Sequence, residues 1–540
     1  MSDELKHECA VAMVVLRKPP SSTADFGGTK LSLLLEKQHN RGQDGAGAAI
    51  LSGEPVPGEM PYWIAKSASG TSLADVLGAI GRRPCRNERI FLGHLRYATF
   101  GKNDIKFCHP FVHEANELAH TLFLAGNFNL TNAGELFERY RKRAFFPTSR
   151  ADGYLVTELL ARELAAGKSP SDSIASALAD ADGAWTLCGM TGDGRAFATR
   201  DPHGIRPGFY YMDEGVVVVA SERPAIQAAF DVPPEAVKEL PRGEALVVSP
   251  DGGVEFVPVL PPAPARGCVF ERIYFSRAND ANIHRERRAL GAALVPQILE
   301  AADAPLDDIF FSYIPNSARI AFHGLLERLF SEKGRVRFGE VAVKDAKFRT
   351  FIADAAARRE FYKHVYDVSY SLVRPGRDTL VVLDDSIVRG NTMKNAILPM
   401  LDRLGPKRIV IASSAPPVRY PDCYGIDMST LGELVAFRAL VNLLGGIDAF
   451  RTAASHASLP ELYARFTDAE HCAEIARLLA PPGMMAEVKI VYQSLDALRA
   501  ACHGSSGDWY FTGDYPTPGG FKVLDKAVQN YLERKHERSY

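Results

Sequence analysis

Residues 379–392, TLVVLDDSIVRGNT, constrain this chain more than any other stretch. Thr379 to Leu383 make an unbroken β-favouring run of the kind that is buried on both faces of a sheet. Two carboxylates, Asp384 and Asp385, stand at its carboxyl end, followed by Ser386, Ile387, Val388, Arg389, Gly390, Asn391 and Thr392. The apolar spacing of Ile397, Leu401 and Leu404 then predicts a helix, kinked at Pro399, and residues 408–412 predict a second strand. Strand, helix and strand in this order make a βαβ unit, so the sheet is parallel and its ligand lies beyond the carboxyl ends of the strands. Small hydroxyl and glycine residues leading into a helix offer backbone N–H groups to an anion such as a phosphate. The paired acids would repel that anion, so their task is different. They accept hydrogen bonds from sugar hydroxyls, or they hold Mg²⁺ carried by the ligand. Helix capping alone needs one acid, and this span has two, with Ser, Arg, Gly and Thr beside them.

The amino-terminal half carries a second, scattered set. Cys9 precedes the strand-like run AVAMVVL. By itself it reads as a buried cysteine at a strand start. Four ordered segments follow it: QHNRGQDGAG at 38–47, GHLRYATFG at 93–101, AGNFNLTN at 125–132 and RAD at 150–152. They place Arg96 near a strand end, Asn127 and Phe128 in an asparagine-rich turn, and Asp152 before a helix running through Leu155, Leu159 and Leu160. The turn RDPHGIRP at 200–207 reads as scaffold, with Arg200 and Arg206 near the same site.

A chain of 540 residues exceeds one hydrophobic core, and VPVLPPAPARG at 257–267, with four prolines, is the natural boundary. The balance of 63 basic against 65 acidic residues gives no bulk footprint for nucleic acid or an anionic membrane. The apolar run 10–16 is too short to span a bilayer, and MSDELKHE is acidic where a signal peptide is basic, which predicts a cytoplasmic protein. Eight scattered cysteines without a C-x-x-C pair predict reduced thiols.

The 381–392 stretch resembles the phosphoribosyl pyrophosphate (PRPP) loop of type I phosphoribosyltransferases. Among these it is most similar to the amidophosphoribosyltransferases of purine synthesis, whose loop also reads DDSIVRG. The amino-terminal set resembles the class II glutamine amidotransferase domain. The resemblance covers nearly the whole chain. It implies an α+β N-terminal-nucleophile αββα sandwich, followed by an α/β parallel-sheet phosphoribosyltransferase domain. The implied division is a propeptide at 1–8, the amidotransferase domain at 9–262, the transferase domain at 263–480 and an extension at 481–540 completing the transferase half.

The resemblance also implies roles. Loss of residues 1–8 makes Cys9 the terminal nucleophile, with its own α-amino group (pKa near 8) as base. Asn127 and the backbone N–H of Phe128 hold the oxyanion, Arg96 the glutamine carboxylate and Asp152 the glutamine ammonium. Residues Asp384 through Thr392 bind PRPP, and Ser317, Asp384 and Asp385 lie on the Mg²⁺ side. The basic stretch 349–363 is either a loop closing over PRPP or a solvated helix face. Expected partners are glutamine, PRPP, purine nucleotides as feedback inhibitors, and further copies of the chain in a homo-oligomer.

Departures from the family pattern are Ala10 after Cys9, the inserted Asn40, Phe128 for glycine and Asn316 for aspartate. Some family members bind an iron–sulfur cluster through four cysteines. The corresponding positions here are Cys268, Asp422, Gly507 and Tyr510, so no cluster is expected. Two other readings fit part of the motif set. One is a different class II amidotransferase, such as a hexosamine-forming synthase, against which the PRPP loop argues. The other is a PRPP- or nucleotide-sensing regulator with an inactive glutaminase.

Overall fold

AVAMVVL carries no polar residue because both its faces are covered. It forms β1 (Ala10–Leu16), the centre of a seven-stranded antiparallel sheet. The other strands of this half, in chain order, are β2 (Gly45–Ser52), β3 (Tyr62–Ser67), β4 (Glu88–Arg96), β5 (Phe111–His113), β6 (Leu122–Leu130) and β7 (Gly183–Thr191). They continue with β8 (Ala196–Arg200), β9 (Phe209–Met212), β10 (Val216–Ala220), β11 (Lys238–Glu239), β12 (Glu244–Val248) and β13 (Val254–Pro258). The first sheet runs β11-β9-β10-β1-β4-β2-β3 and the second β13-β12-β8-β7-β6-β5. Val11, Met13 and Val15 face the second sheet. Ala10, Ala12 and Val14 face outward under helices Phe26–Lys37, Ser72–Arg82 and Arg223–Phe230. Helices Asp152–Ala165 and Pro170–Leu178 cover the far face of the second sheet, completing helix, sheet, sheet, helix. This is the expected sandwich.

The computed structural model describes residues 8–18, 25–53, 56–84, 87–98, 104–141, 147–344, 366–535 and 537–539. The 349–363 stretch and residues 1–7 lie outside the described residues.

The carboxyl-terminal half is built on β14 (Ile309–Tyr313), β15 (Arg337–Phe338), β16 (Ala342–Lys344), β17 (Tyr366–Val368), β18 (Thr379–Asp384), β19 (Arg408–Ser413) and β20 (Glu487–Tyr492). Five of these form a parallel sheet in the order β15-β14-β18-β19-β20, while β16 and β17 pair antiparallel apart from it. Val381 and Leu383 pack against helices Val295–Ala302 and Arg319–Lys333. Leu380 and Val382 pack against Val435–Leu443 and Asp468–Leu479, so β18 is buried on both faces as its composition requires. β20 comes from the last sixty residues and closes one edge of the sheet. The following segment returns to the first half, where Gly519 N–H donates to Asp182 Oδ2 at 2.8 Å. A shared core joins Ala184 and Ile205 to Phe270, Tyr424, Trp509 and Tyr510 along the seam.

Two local expectations are corrected. The asparagine-rich stretch 125–132 is a strand as far as Leu130, because Asn127 and Asn129 pair across the ladder with Thr186 and Ala184. The Asn129 amide also donates to Cys423 O at 2.7 Å, so tertiary partners override the turn preference of asparagine. The helix after Thr392 starts as a π-helical turn, Met393–Ile397, and becomes α-helical only over Leu398–Asp402. Pro399 coincides with that change of hydrogen-bond pattern.

Candidate functional site

β1 places Cys9 at the lip of the first sheet, and the Ala10–Leu95 pairing sets Arg96, the last residue of β4, beside it. The Tyr97 N–H donates to Cys9 Sγ at 3.2 Å. Burial pushes the Cys9 thiol up to about 11, and the Tyr97 contact and Arg96 pull the other way. A thiol in that state needs a nearby base. Asp152 opens helix Asp152–Ala165, and its charge acts on Cys9 together with that of Asp44. Burial pushes Asp152 up to about 6, opposed by the backbone N–H groups of Gly153 and Leu130. Asn127 is buried on β6, in the other sheet. The Phe128 ring lies 5.7 Å from the His109 ring, and glycine at 153 leaves room for it. The extra bulk therefore turns toward the helix. Cys9, Arg96, Asn127 and Asp152, scattered in sequence, converge on one end of the sandwich.

Sequence reasoning missed Glu8. It is buried, and its carboxylate pairs with Arg206 and with Arg41, 3.5 Å away, while the Asn127 amide donates to it at 3.2 Å. Its backbone carbonyl accepts from Gly42 N–H at 3.0 Å. Arg41 also pairs with Glu222 and Glu271 at the seam. Burial works against the charge of Glu271, but Arg41 overcomes it and keeps the carboxyl below its usual range. Arg206 is aimed by its loop: Asp201 accepts from the N–H groups of His203, Ile205 and Arg206, and Arg200 donates to Arg206 O at 2.6 Å. The only sequence signal for this network is the pair of arginines in glycine-containing loops.

At the other site, Asp384 ends the central strand β18, between β14 and β19. Asp385 N–H donates to Asp384 Oδ1 at 2.9 Å, and Ser386 Oγ to Asp385 Oδ1 at 2.8 Å. Ser317 Oγ donates to Asp385 Oδ2, bringing two of the three predicted metal-side residues into contact. Burial and the neighbouring Asp385 charge hold Asp384 well above the usual carboxylate range. Burial also raises Asp385, with Ser317, Ser386 and Arg287 opposing. Two adjacent carboxylates whose charged forms burial disfavours suit a cation. Among the described residues no three His, Cys, Asp or Glu side chains gather as a metal site, so oxygens of the substrate would have to complete the shell. Asp384, Asp385 and Ser317 would hold Mg²⁺ in that way.

The rest of the loop divides its labour. Gly390 has φ of 78°, a conformation costly for other residues, and it faces Leu479 closely. Ile387 and Val388 point into the core, leaving only their backbone groups for a ligand. Arg389 is turned away to Glu433, at 2.7 Å, and Asp427, at 3.2 Å, so its guanidinium anchors the loop. Asn391 is exposed and Thr392 half-buried at the mouth.

The positions corresponding to family cluster ligands do meet: Cys268 Sγ lies 3.0 Å from Tyr510 Oη, and Cys268 bridges to Gly507. Asp422 accepts from Trp509 Nε1 at 3.1 Å and from Tyr424 and Ile426 N–H. One thiol, one phenol and one fully engaged carboxylate do not fit a four-thiolate cluster.

Residues 109–228 match the family model of a glutamine amidotransferase domain. A curated amidophosphoribosyltransferase of Methanocaldococcus jannaschii is 30% identical over 420 residues, covering 75% of this chain and 83% of that protein. One of Staphylococcus epidermidis is 27% identical over 546 residues, covering 99% and 96%. Among solved structures, one described as the allosteric regulatory enzyme of purine biosynthesis matches with a TM-score of 0.70 at 25% identity, covering 94% of this chain and 96% of that one. The glutamine PRPP amidotransferase of B. subtilis, complexed with ADP and GMP, matches with a TM-score of 0.69 at 24% identity, covering 94% and 97%.

Proposed function

Because the chain belongs to the amidophosphoribosyltransferase family, we propose that Cys9 hydrolyses glutamine and that the loop 384–392 receives the PRPP to which the ammonia is added. The reaction is the first step of de novo purine synthesis: glutamine, PRPP and water give 5-phosphoribosylamine, glutamate and pyrophosphate. The observation that carries the residue assignment is the convergence of Cys9, Arg96, Asn127 and Asp152 in one half while the other ends a parallel strand in paired acids.

Residues 9–262 act as the glutaminase and 263–540 as the transferase, with 481–540 completing the latter. The thiolate attacks the glutamine amide carbon, Asn127 and the Phe128 N–H receive the oxyanion, the C–N bond breaks as the Cys9 ammonium returns the thiol proton to the departing ammonia, and water releases glutamate from the thioester. Arg96 and Asp152 hold the carboxylate and ammonium of glutamine. Glu8 now engages the Asn127 amide, so removal of residues 1–8 both frees that donor and exposes the Cys9 amine. In the transferase, backbone N–H groups from Ser386 to Thr392 hold the 5-phosphate, while Asp384 and Asp385 orient the ribose and its metal. Mg²⁺, when bound, would offset the charge of the departing pyrophosphate. Ammonia passes between the two sites through a largely apolar passage without entering bulk water.

Purine nucleotides serve as feedback ligands, and the chain works as a homo-oligomer in the cytoplasm. No helix among the described residues is long and apolar enough to cross a membrane.

One mixture of glutamine and PRPP tests the assignment: glutamate and pyrophosphate should appear together. A nucleotide sensor would release neither. Mass spectrometry of the mature amino terminus tests processing, and a retained Met1 would leave Cys9 without its proposed base.

A further inference from the structure

The glutamine half holds a stacked imidazole pair that none of these roles uses. His94 lies on β4, two residues before Arg96, and His109 lies on the segment entering β5. His94 is fully buried and His109 half-buried, and their rings are parallel within 9°, with centroids 4.0 Å apart. Together they take both polar atoms of Gly126. His94 Nε2 donates to Gly126 O at 3.0 Å, and Gly126 N–H donates to His109 Nδ1 at 3.3 Å.

Gly126 stands just past the last stretch of β6 that β5 covers, where Phe111 pairs with Leu124. In an antiparallel strand the N–H and C=O of one residue point to the same side, and the direction alternates along the chain. The two imidazoles therefore replace the missing strand at Gly126. The next residue facing that side is Phe128. On the opposite side, its partner Trp185 gives both backbone groups to Asp201, so β7 does not claim the Phe128 N–H. The ladder thus ends on the imidazoles one step before the oxyanion position, and Asn127 lies between.

We propose that His94 and His109 are positioning residues: they fix the Gly126 peptide plane so that the Asn127 amide and the Phe128 N–H aim at the glutamine oxyanion. This rests on the reading that Cys9 hydrolyses glutamine with those donors. The bond pattern demands an acceptor nitrogen on His109 and a donor nitrogen on His94. His109 must keep a lone pair on Nδ1, and His94 must carry its proton on Nε2. Burial favours neutrality, holding His94 down to about 3 and His109 well below its ordinary value. A role in packing alone would need ring volume and no lone pair.

The test uses the full chain, two readouts and paired variants. His109→Asn keeps an acceptor near the Nδ1 position, and His109→Leu keeps bulk without one. In His109→Leu the kcat for glutamate release should fall about tenfold, the effect of one lost hydrogen bond at the site, with the KM for glutamine unchanged. His109→Asn should recover most of that loss, and PRPP amination driven by ammonium should be unchanged in both. Equal losses in the two variants, or a KM that rises as kcat falls, would overturn the proposal. If ammonium-driven activity also drops, misfolding is the cause, and His94→Gln against His94→Met decides by the same criteria. A parent chain that releases no glutamate overturns the glutaminase reading itself, which sets that failure apart from this one.

Discussion

The two candidate sites are built in opposite ways. At the proposed PRPP end, one continuous segment supplies the paired acids and the glycine turn at the tip of β18, with Ser317 reaching in from a second. At the glutamine end, β1, β4, β6 and helix Asp152–Ala165 each deliver one side chain, and two facing sheets must register before the site exists. A site on one segment inherits its geometry from local backbone rules, whereas a site on four elements inherits it from packing. The PRPP loop should therefore tolerate distant changes that the glutaminase does not, and damage to the glutaminase should leave the transferase intact.

The largest effect separates the halves outright. Cys9→Ala should cut glutamine-driven amination below about 10⁻³ of the parent rate while sparing ammonium-driven amination. Asp385→Asn should abolish both. Product assays with each nitrogen source check this, and loss of ammonium-driven turnover in Cys9→Ala would break the comparison.

Asn127→Ala should lower glutaminase kcat by about 10²–10³, the usual cost of one oxyanion donor, and leave pyrophosphate release from ammonium and PRPP unaltered. Steady-state kinetics decide the point, and an effect confined to KM would assign Asn127 to binding.

The paired acids predict a pH-dependent response to ligand. Their folded pKa values are raised, so their ionisation costs stability as pH climbs from the ordinary carboxylate value through the raised one. Mg²⁺ with PRPP relieves that repulsion. Thermal unfolding should show stabilisation of about 2.7 kcal/mol at a hundredfold excess over Kd near neutral pH, shrinking as acid protonates the pair. Equal stabilisation at all pH values would remove the metal role of Asp384 and Asp385.

The smallest effect tests the packed site. Asp152, raised to about 6, is charged above that pH and neutral below it. The KM for glutamine should therefore rise about tenfold per pH unit below 6. Asp152→Asn should show a high, flat KM. An unchanged profile in that variant would assign the titration to another group.

The sequence alone determined the parallel strand ending in Asp384 and Asp385 and the glycine turn at Gly390, because these depend on local composition and backbone preference. It also placed Cys9 at a strand start and Arg96 at a strand end. Only the tertiary structure decided that Asn127 lies inside a strand, that Arg389 turns away to Glu433, that Glu8 joins Arg206 to the Asn127 amide, and that His94 and His109 stack beside Gly126. Those outcomes depend on which elements face each other across the two sheets and the seam. Long-range contacts of that kind leave no local pattern in the chain, since each partner is an ordinary residue until folding buries it beside the other.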